Sequence, residues 1–218
     1  MKGFISKDNP SPSLSVGIAI VHHLELLQEA LSSARTAERR AKSVDGKNAL
    51  AIIVSKRSGE DYSSAGQWDD VDRFLEELIG SFRRGLLPKG TAYELRTMVQ
   101  RLAPPGGDSR DRTGRAVMRT DAWRILYRKM TVPREKQTAL TGEDDLKKIL
   151  NQLIARIEPG EEPALPASQV GRRLPDDTMP FRPVPIEEFI DELIIAEFLA
   201  DARNLAAAGQ TTGEGVRV

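Results

Sequence analysis

The chain has 218 residues, 32 Lys+Arg against 32 Asp+Glu and a hydrophobic fraction of 39%, which gives room for one or two modest domains and no overall charge to mark a nucleic-acid binder or an acidic tail. It has no cysteine, which excludes disulfides, thiolate metal sites and cysteine nucleophiles and fits a reducing compartment. No apolar run could span a bilayer and Met1 to Pro12 lacks the apolar core of a signal peptide, so a soluble, cytoplasmic protein without a membrane partner is expected.

Residues 13–21, SLSVGIAIV, alternate Leu14, Val16, Ile18 and Ile20 and predict a strand. Gly17 inside it suggests close approach by another backbone or by a ligand. Residues 24–43 predict a helix, with Leu27, Ala30, Leu31, Ala34, Ala37 and Ala41 at helical spacing. Asp45-Gly46 ends it in a turn. Residues 48–54, NALAIIV, predict a second strand. Its unbroken apolar run suits burial on both faces, hence a central place in a larger sheet. Two strands and one helix close no core alone, so this strand is expected to need neighbours from elsewhere.

After Gly59 the pattern turns helical. Asp69 to Phe82, Thr91 to Leu102, Thr120 to Met130 and Gly142 to Ile157 each predict a helix, with Thr120 or Asp121 as the cap of the third. Pro104 to Gly114 reads as a loop, and the proline-rich residues 158–185 read as an irregular segment or linker. Ile186 to Leu205 is the clearest helix, with Ile186, Phe189, Ile190, Leu193 and Ile194 opposite an acidic face. Residues 206–218 read as a frayed, disordered tail. Charge is uneven along this half. Residues 96–136 carry 11 Lys+Arg and 4 Asp+Glu, and residues 137–218 carry 8 and 15. The basic stretch is a candidate surface for an anion, or the two stretches neutralise each other in the fold.

The ordered series Ser15-Val16-Gly17-Ile18-Ala19, a helix ending Ala41-Lys42, and Gly46-Lys47-Asn48 is similar to the end of a GGDEF-type nucleotide cyclase domain. The fuller runs SVGIAIVHH at 15–23 and GKNALAIIVSKRSGE at 46–60 more closely resemble the palm of the large subunit of type III-B (Cmr-type) CRISPR effector complexes. The helical remainder, with Tyr93-Glu94-Leu95 inside it, resembles that subunit's C-terminal helical domain. The resemblance implies an α+β chain: a partial ferredoxin-like palm (strand–helix–strand) over residues 1–58, then a mainly helical domain over 59–205.

In the family the palm presents a Gly-Gly-Asp-Asp hairpin whose aspartates bind Mg or Mn, and it converts ATP into cyclic oligoadenylates when the complex holds target RNA. An HD nuclease domain often precedes it. Neither motif occurs in this sequence; Gly106-Gly107-Asp108 is followed by Ser109. The resemblance therefore implies a C-terminal fragment with no catalytic residue, metal site or cofactor of its own. It would serve an antiviral defence complex by completing and docking the palm. The implied partners are other effector subunits, guide and target RNA indirectly, and a companion chain carrying the rest of the palm. The alternatives are half of a split cyclase whose aspartates come from another chain, and a helical adaptor without nucleotide binding.

Lys42 and Lys47 match family positions that approach nucleotide phosphates, and Ser15 matches one that faces the nucleotide; as plain residues they read as a helix-end lysine, a turn lysine and a solvated strand serine. Gly46 and Asn48 shape the turn. Arg110, Arg112 and Arg115 are candidates for RNA or partner contact, or for a solvated loop without interleaved aromatic residues. His22 and His23, adjacent on a strand, would point to opposite faces and chelate poorly. Asp69, Asp70 and Asp72 read as acids at a helix N-terminus rather than metal ligands.

Overall fold

The computed structural model describes residues 13–56, 59–102, 112–130, 143–159 and 181–213. They form two compact units, 1–73 and 74–218.

The first unit holds a three-stranded sheet in the order β1-β2-β3, with β1 at Val16–Ile20, β2 at Ala49–Ser55 and β3 at Asp61–Gln67. Helix α1, Leu27–Ser43, links β1 to β2. The two strands are direct parallel neighbours, with Gly17 opposite Ala51 and Ile18 opposite Ile52. A helical crossover is the ordinary way to join parallel strands. Gly17 is required by sterics: a Cβ there would lie 2.1 Å from the Glu38 amide nitrogen and 2.4 Å from the Ala37 carbonyl carbon. The close approach expected at Gly17 is therefore to the backbone of α1. Fully buried Ala37 and Ala41 supply the small side chains that let α1 lie this low.

Strand β3 departs from the sequence reading, which places residues after Gly59 in the helical domain. Residues 61–67 pair antiparallel with β2 along its whole length, from Ser55 opposite Asp61 to Ala49 opposite Gln67. The turn between them is closed by Gly59 N donating to Lys56 O (2.9 Å) and Lys56 N donating to Glu60 O (3.2 Å). Tyr62, Ser64 and Gly66 form its buried face, a sequence too small and polar to register as a core strand. β2 is thus central, as its apolar run predicts, but both of its neighbours come from this chain. β1 and β3 are the two edges, each paired on one side only among the described residues; β1 is the more apolar of the two.

The second unit is helical. Helix α2, Val71–Arg83, begins at the division; α3 is Thr91–Leu102, α4 Arg112–Lys129, α5 Glu143–Arg156 and α6 Ile186–Gly213. α3 packs on α4 and α6, and α4 packs on α5. Two boundaries in this unit differ from the sequence reading by more than two residues. α4 starts at Arg112, not Thr120, because Met118 joins Ala122 and Leu126 in one buried stripe and carries the helix through Gly114. α6 runs to Gly213, so residues 206–213, expected as tail, are helical; 214–218 lie outside the described residues. No helix among the described residues is long and apolar enough to cross a membrane.

One ion pair organises this unit. Arg156, at the end of α5, and Glu192, on α6, are both fully buried. Arg156 donates from Nε to Oε2 (3.0 Å) and from Nη2 to Oε1 (2.5 Å). Its Nη1 donates to the Arg182 carbonyl (2.6 Å), and the guanidinium lies 4.7 Å from the centre of the Phe74 ring. The backbone adds Val184 N to Arg156 O (2.7 Å) and an isolated parallel bridge between Ile157 and Val184. Sequence places Glu192 on the acidic, outward side of α6; in the fold the helix is buried nearly all round from Phe189 to Ala196, and Arg156 satisfies the carboxylate there.

Two stability outcomes follow. Gly17→Ala is expected to destabilise the sheet by about 2–3 kcal/mol, since the atoms it meets are backbone; faster hydrogen exchange of the β1 and β2 amides would report it, and unchanged protection would refute the contact. Arg156→Met is expected to cost about 3–5 kcal/mol by stranding a buried carboxylate, with most of that recovered in Arg156→Met/Glu192→Leu. Urea melts of the three proteins measure this, and a single variant within about 1 kcal/mol of the parent would be inconsistent with it.

Candidate functional site

The parallel pairing brings the start of β1, the start of β2 and the end of α1 to one end of the sheet. Ser15, just ahead of β1, lies in register with Ala49, and Lys47 precedes β2 by two residues. The turn at that end holds Gly46 (φ 75°), Lys47 (φ 52°) and Asn48 (φ 50°) successively in the left-handed region, which glycine takes freely and asparagine tolerates. Its bonds fix it: Asp45 Oδ1 accepts from Gly46 N (3.0 Å), and Lys47 N donates to Val44 O (3.0 Å).

The end of β3 straps this corner together. Gln67 Nε2 donates to Asp45 O (3.1 Å), Trp68 N donates to Asn48 O (3.1 Å), and the Trp68 indole Nε1 reaches across to the Leu14 carbonyl (2.9 Å). Asp69 follows in a left-handed turn, φ 69°. Sequence reasoning missed Trp68 because its role depends on β3; a hairpin signal at Lys56 to Gly59 was the available clue.

Ser15, Lys42 and Lys47 therefore share one end of the sheet. Lys42 is exposed and paired with Glu38 at 2.6 Å, four residues back on α1. The Lys42 ammonium, through that hydrogen bond, holds the Glu38 carboxyl below the usual glutamate range. A serine and two lysines around a rigid turn suit a phosphate. Among the described residues no group of three or more His, Cys, Asp or Glu is placed to hold a metal ion. His22 and His23 lie beyond β1 rather than on it, so the opposite-faces argument does not apply. Their rings sit side by side, centres 4.4 Å apart, and His22 Nδ1 accepts from Leu24 N (3.3 Å).

The same unit leaves apolar surface at β1. Ile18 is 41% exposed although it sits mid-strand, and Val16 and Ile20 are half-buried. On α1, Leu27 is 74% and Leu31 48% exposed. Arg40 bonds Ser63 of β3, and Leu27 and Leu31 fall on the opposite flank of the helix from Arg40 at 3.6 residues per turn. With strand order β1-β2-β3, that flank overlooks the outer edge of β1.

The basic stretch is divided differently from its sequence reading. Arg110 and the Gly106-Gly107-Asp108 run lie outside the described residues. Arg112 and Arg115 belong to the first turns of α4, not to a loop. Arg115 is half-buried and paired with Glu158 at 3.0 Å, and Arg119 Nε donates to Ile154 O (3.3 Å), so these two turn toward α5. Farther along α4, Arg124 pairs with Asp121 at 2.6 Å, and Glu94 of α3 receives Arg128 and Lys129, the latter at 2.8 Å. Beside them Trp123 stacks on Tyr127, ring centres 5.3 Å apart and planes 17° apart. Sequence reasoning missed this pair, though its four-residue spacing on a helix was readable.

The first unit is thus a parallel β-α-β unit extended by an antiparallel strand, with a tight left-handed turn at one end of its sheet. Residues 2–51 match the family model described as Cas10/Cmr2, second palm domain. A curated relative, "CRISPR system Cmr subunit Cmr2" of Pyrococcus furiosus, is 46% identical over 66 residues, which are 30% of this chain and 8% of that protein. The similarity to the Cas10/Cmr2 second palm thus lies in the N-terminal part of the chain. The chain spans a small fraction of the length of that relative. No solved structure gives a significant match.

In the helical unit, the hydrogen bond from Lys129, with the Arg128 charge, depresses the Glu94 carboxyl below its ordinary range. A depressed carboxylate contributes stability above its unfolded value and loses it as pH falls through the lower, folded one. Acidification below the ordinary glutamate range is therefore expected to weaken the α3–α4 tie, and Glu94→Gln to remove that part of the pH dependence. Thermal melts of the two proteins across that range test this; parallel profiles would exclude Glu94 as a contributor.

Proposed function

We propose that the chain is a component of a type III CRISPR RNA-guided effector complex, in which residues 13–67 complete the palm sheet of the large subunit through the outer edge of β1. The observation that carries this reading is an edge strand with no protective charge, proline or bulge, overlooked by exposed leucines, in a segment similar to the second-palm family model. An added strand would pair with the outward backbone groups of β1, which have no strand partner among the described residues, and lie beneath Leu27 and Leu31. Covering those two and Ile18 is worth on the order of 3–5 kcal/mol, enough to favour a dedicated strand over water.

In the completed palm, Ser15, Lys42 and Lys47 stand at the end where nucleotide phosphates approach. The lysines act there as point charges and Trp68 holds the Leu14–Ser15 backbone in place. ATP and a divalent metal belong to that assembled palm, and the Gly-Gly-Asp-Asp carboxylates that would hold the metal come from outside residues 1–218. The helical unit serves to dock this segment among the other effector subunits. A type III complex supplies guide and target RNA to the palm as neighbours rather than as ligands of this sheet.

Co-expression with the remainder of a Cmr2-type large subunit tests the edge. Leu27→Asp/Leu31→Asp, both at exposed positions, is expected to leave the chain folded and to reduce co-purification at least about tenfold, a loss within the burial range above. Undiminished co-purification would remove β1 as the joint. Lys42→Ala/Lys47→Ala is expected to spare co-purification and to weaken ATP binding by the assembled palm about tenfold or more. Unchanged ATP binding would return both lysines to plain surface roles.

A further inference from the structure

We propose that the outer face of α4 is a binding site for single-stranded nucleic acid, in which a base stacks on Tyr127 and the backbone follows Arg124 and Arg128. This inference stands apart from the palm reading, since every residue in it belongs to the helical unit.

Charge comes first. α4 carries six cations, Arg112, Arg115, Arg119, Arg124, Arg128 and Lys129, against the single carboxylate of Asp121. Such density on one helix is the footprint of a polyanion. The fold then sorts these cations. Arg115 and Arg119 are turned to α5, while Arg124 and Arg128 remain largely exposed. Together with Arg101 of α3 they line a groove of about 470 Å³ that Met98, Leu102 and Ile125 also line. Arg124 and Arg128 touch Asp121 and Glu94, but exposed ion pairs of this kind are weak and a phosphate can replace either carboxylate.

The aromatic pair supplies the second element. Trp123 is half-buried and fixes the ring of Tyr127 from one side, while Tyr127 is 61% exposed. A largely exposed tyrosine stacked on a tryptophan, with cations on the adjoining positions of the helix, is the combination that sequence-tolerant single-strand binders use. A duplex would engage the cations but has no free base to offer the ring. Arginine also stacks on a base in its own right, which places Arg124 and Arg128 well for either role.

The test measures anisotropy of a labelled oligouridylate of about 12 nucleotides with the full chain over a salt series. Trp68→Phe, which leaves Trp123 as the reporter because the chain has two tryptophans, adds an emission readout. Binding is expected to quench Trp123. Tyr127→Ala is expected to weaken binding about tenfold while Tyr127→Phe retains it. Arg124→Ala/Arg128→Ala is expected to lower the slope of log K against log salt by about 1.4, at roughly 0.7 for each phosphate on a single strand. A preference for the ribose oligomer over its deoxy counterpart would assign the site to RNA, and equal affinity would assign it to single strands at large; both support the proposal. It is overturned if Trp123 emission stays unchanged at saturation, if Tyr127→Ala binds like the parent, or if a duplex of equal length binds as well. It is equally overturned if no oligonucleotide binds and Tyr127→Ala instead weakens association with another effector subunit, which would make the face a protein contact.

Discussion

The palm-like unit rests on one contact without a side chain. Gly17 lets the backbone of α1 descend onto β1 at Ala37 and Glu38, and everything at the candidate site is set by that descent. It fixes the height of α1, which puts Arg40 within reach of Ser63 on one flank and leaves Leu27 and Leu31 on the other. It also sets where α1 ends, hence where Lys42 and the Gly46-Lys47-Asn48 turn stand relative to Ser15. A methyl group at residue 17 would lift the helix and separate the elements that the strap from Gln67 and Trp68 joins.

The helical unit uses the opposite strategy, a buried charge pair. Arg156 and Glu192 offer little net stability against an apolar pair of the same size, because both must be dehydrated. What they provide is register. The two-point bond to Glu192 fixes the end of α5 on α6, the third donor holds the Arg182 carbonyl, and the flat guanidinium lies on Phe74. Phe74 in turn meets Phe181 edge-on with ring centres 5.0 Å apart, and Phe189 at 6.3 Å. The entry into α6 is thereby held by the Arg156 side chain together with the Ile157–Val184 bridge and the buried Phe181 and Val184.

What was legible in the sequence was whatever is local. β1, α1 and α3 carry apolar periodicity and β2 an unbroken apolar run, and the α3 limits match the reading at both ends. Gly17 declared a close approach, though sequence could not choose between a backbone and a ligand. β3 escaped because its order comes from pairing with β2, not from its own hydrophobicity: Ser64 is fully buried and Gly66 has nothing to bury. The inward turn of Glu192 escaped for a similar reason, since its partner lies 36 residues away. At the candidate site, the residue types of Ser15, Lys42 and Lys47 were readable, and their shared end of the sheet followed only once β1 and β2 proved to be parallel neighbours.

The uneven charge along the chain resolves into two uses of the same residue type. Arg115 meets Glu158 and Arg119 meets a carbonyl of α5, so part of the basic stretch is neutralised inside the fold by the acidic stretch that follows it. Arg124 and Arg128 are matched to carboxylates as well, yet at the surface, where pairing costs side-chain freedom and returns little. Had the cations served only to balance the fold, burial would be the place for them and an exposed tyrosine beside them would have no purpose. A helix that spends its inner arginines on packing and keeps its outer ones next to a stacked, open aromatic ring has separated a structural face from a recognition face. That division is set by helical spacing alone: residues 115, 119, 122 and 126 share one side, and residues 120, 124, 127 and 128 share the other.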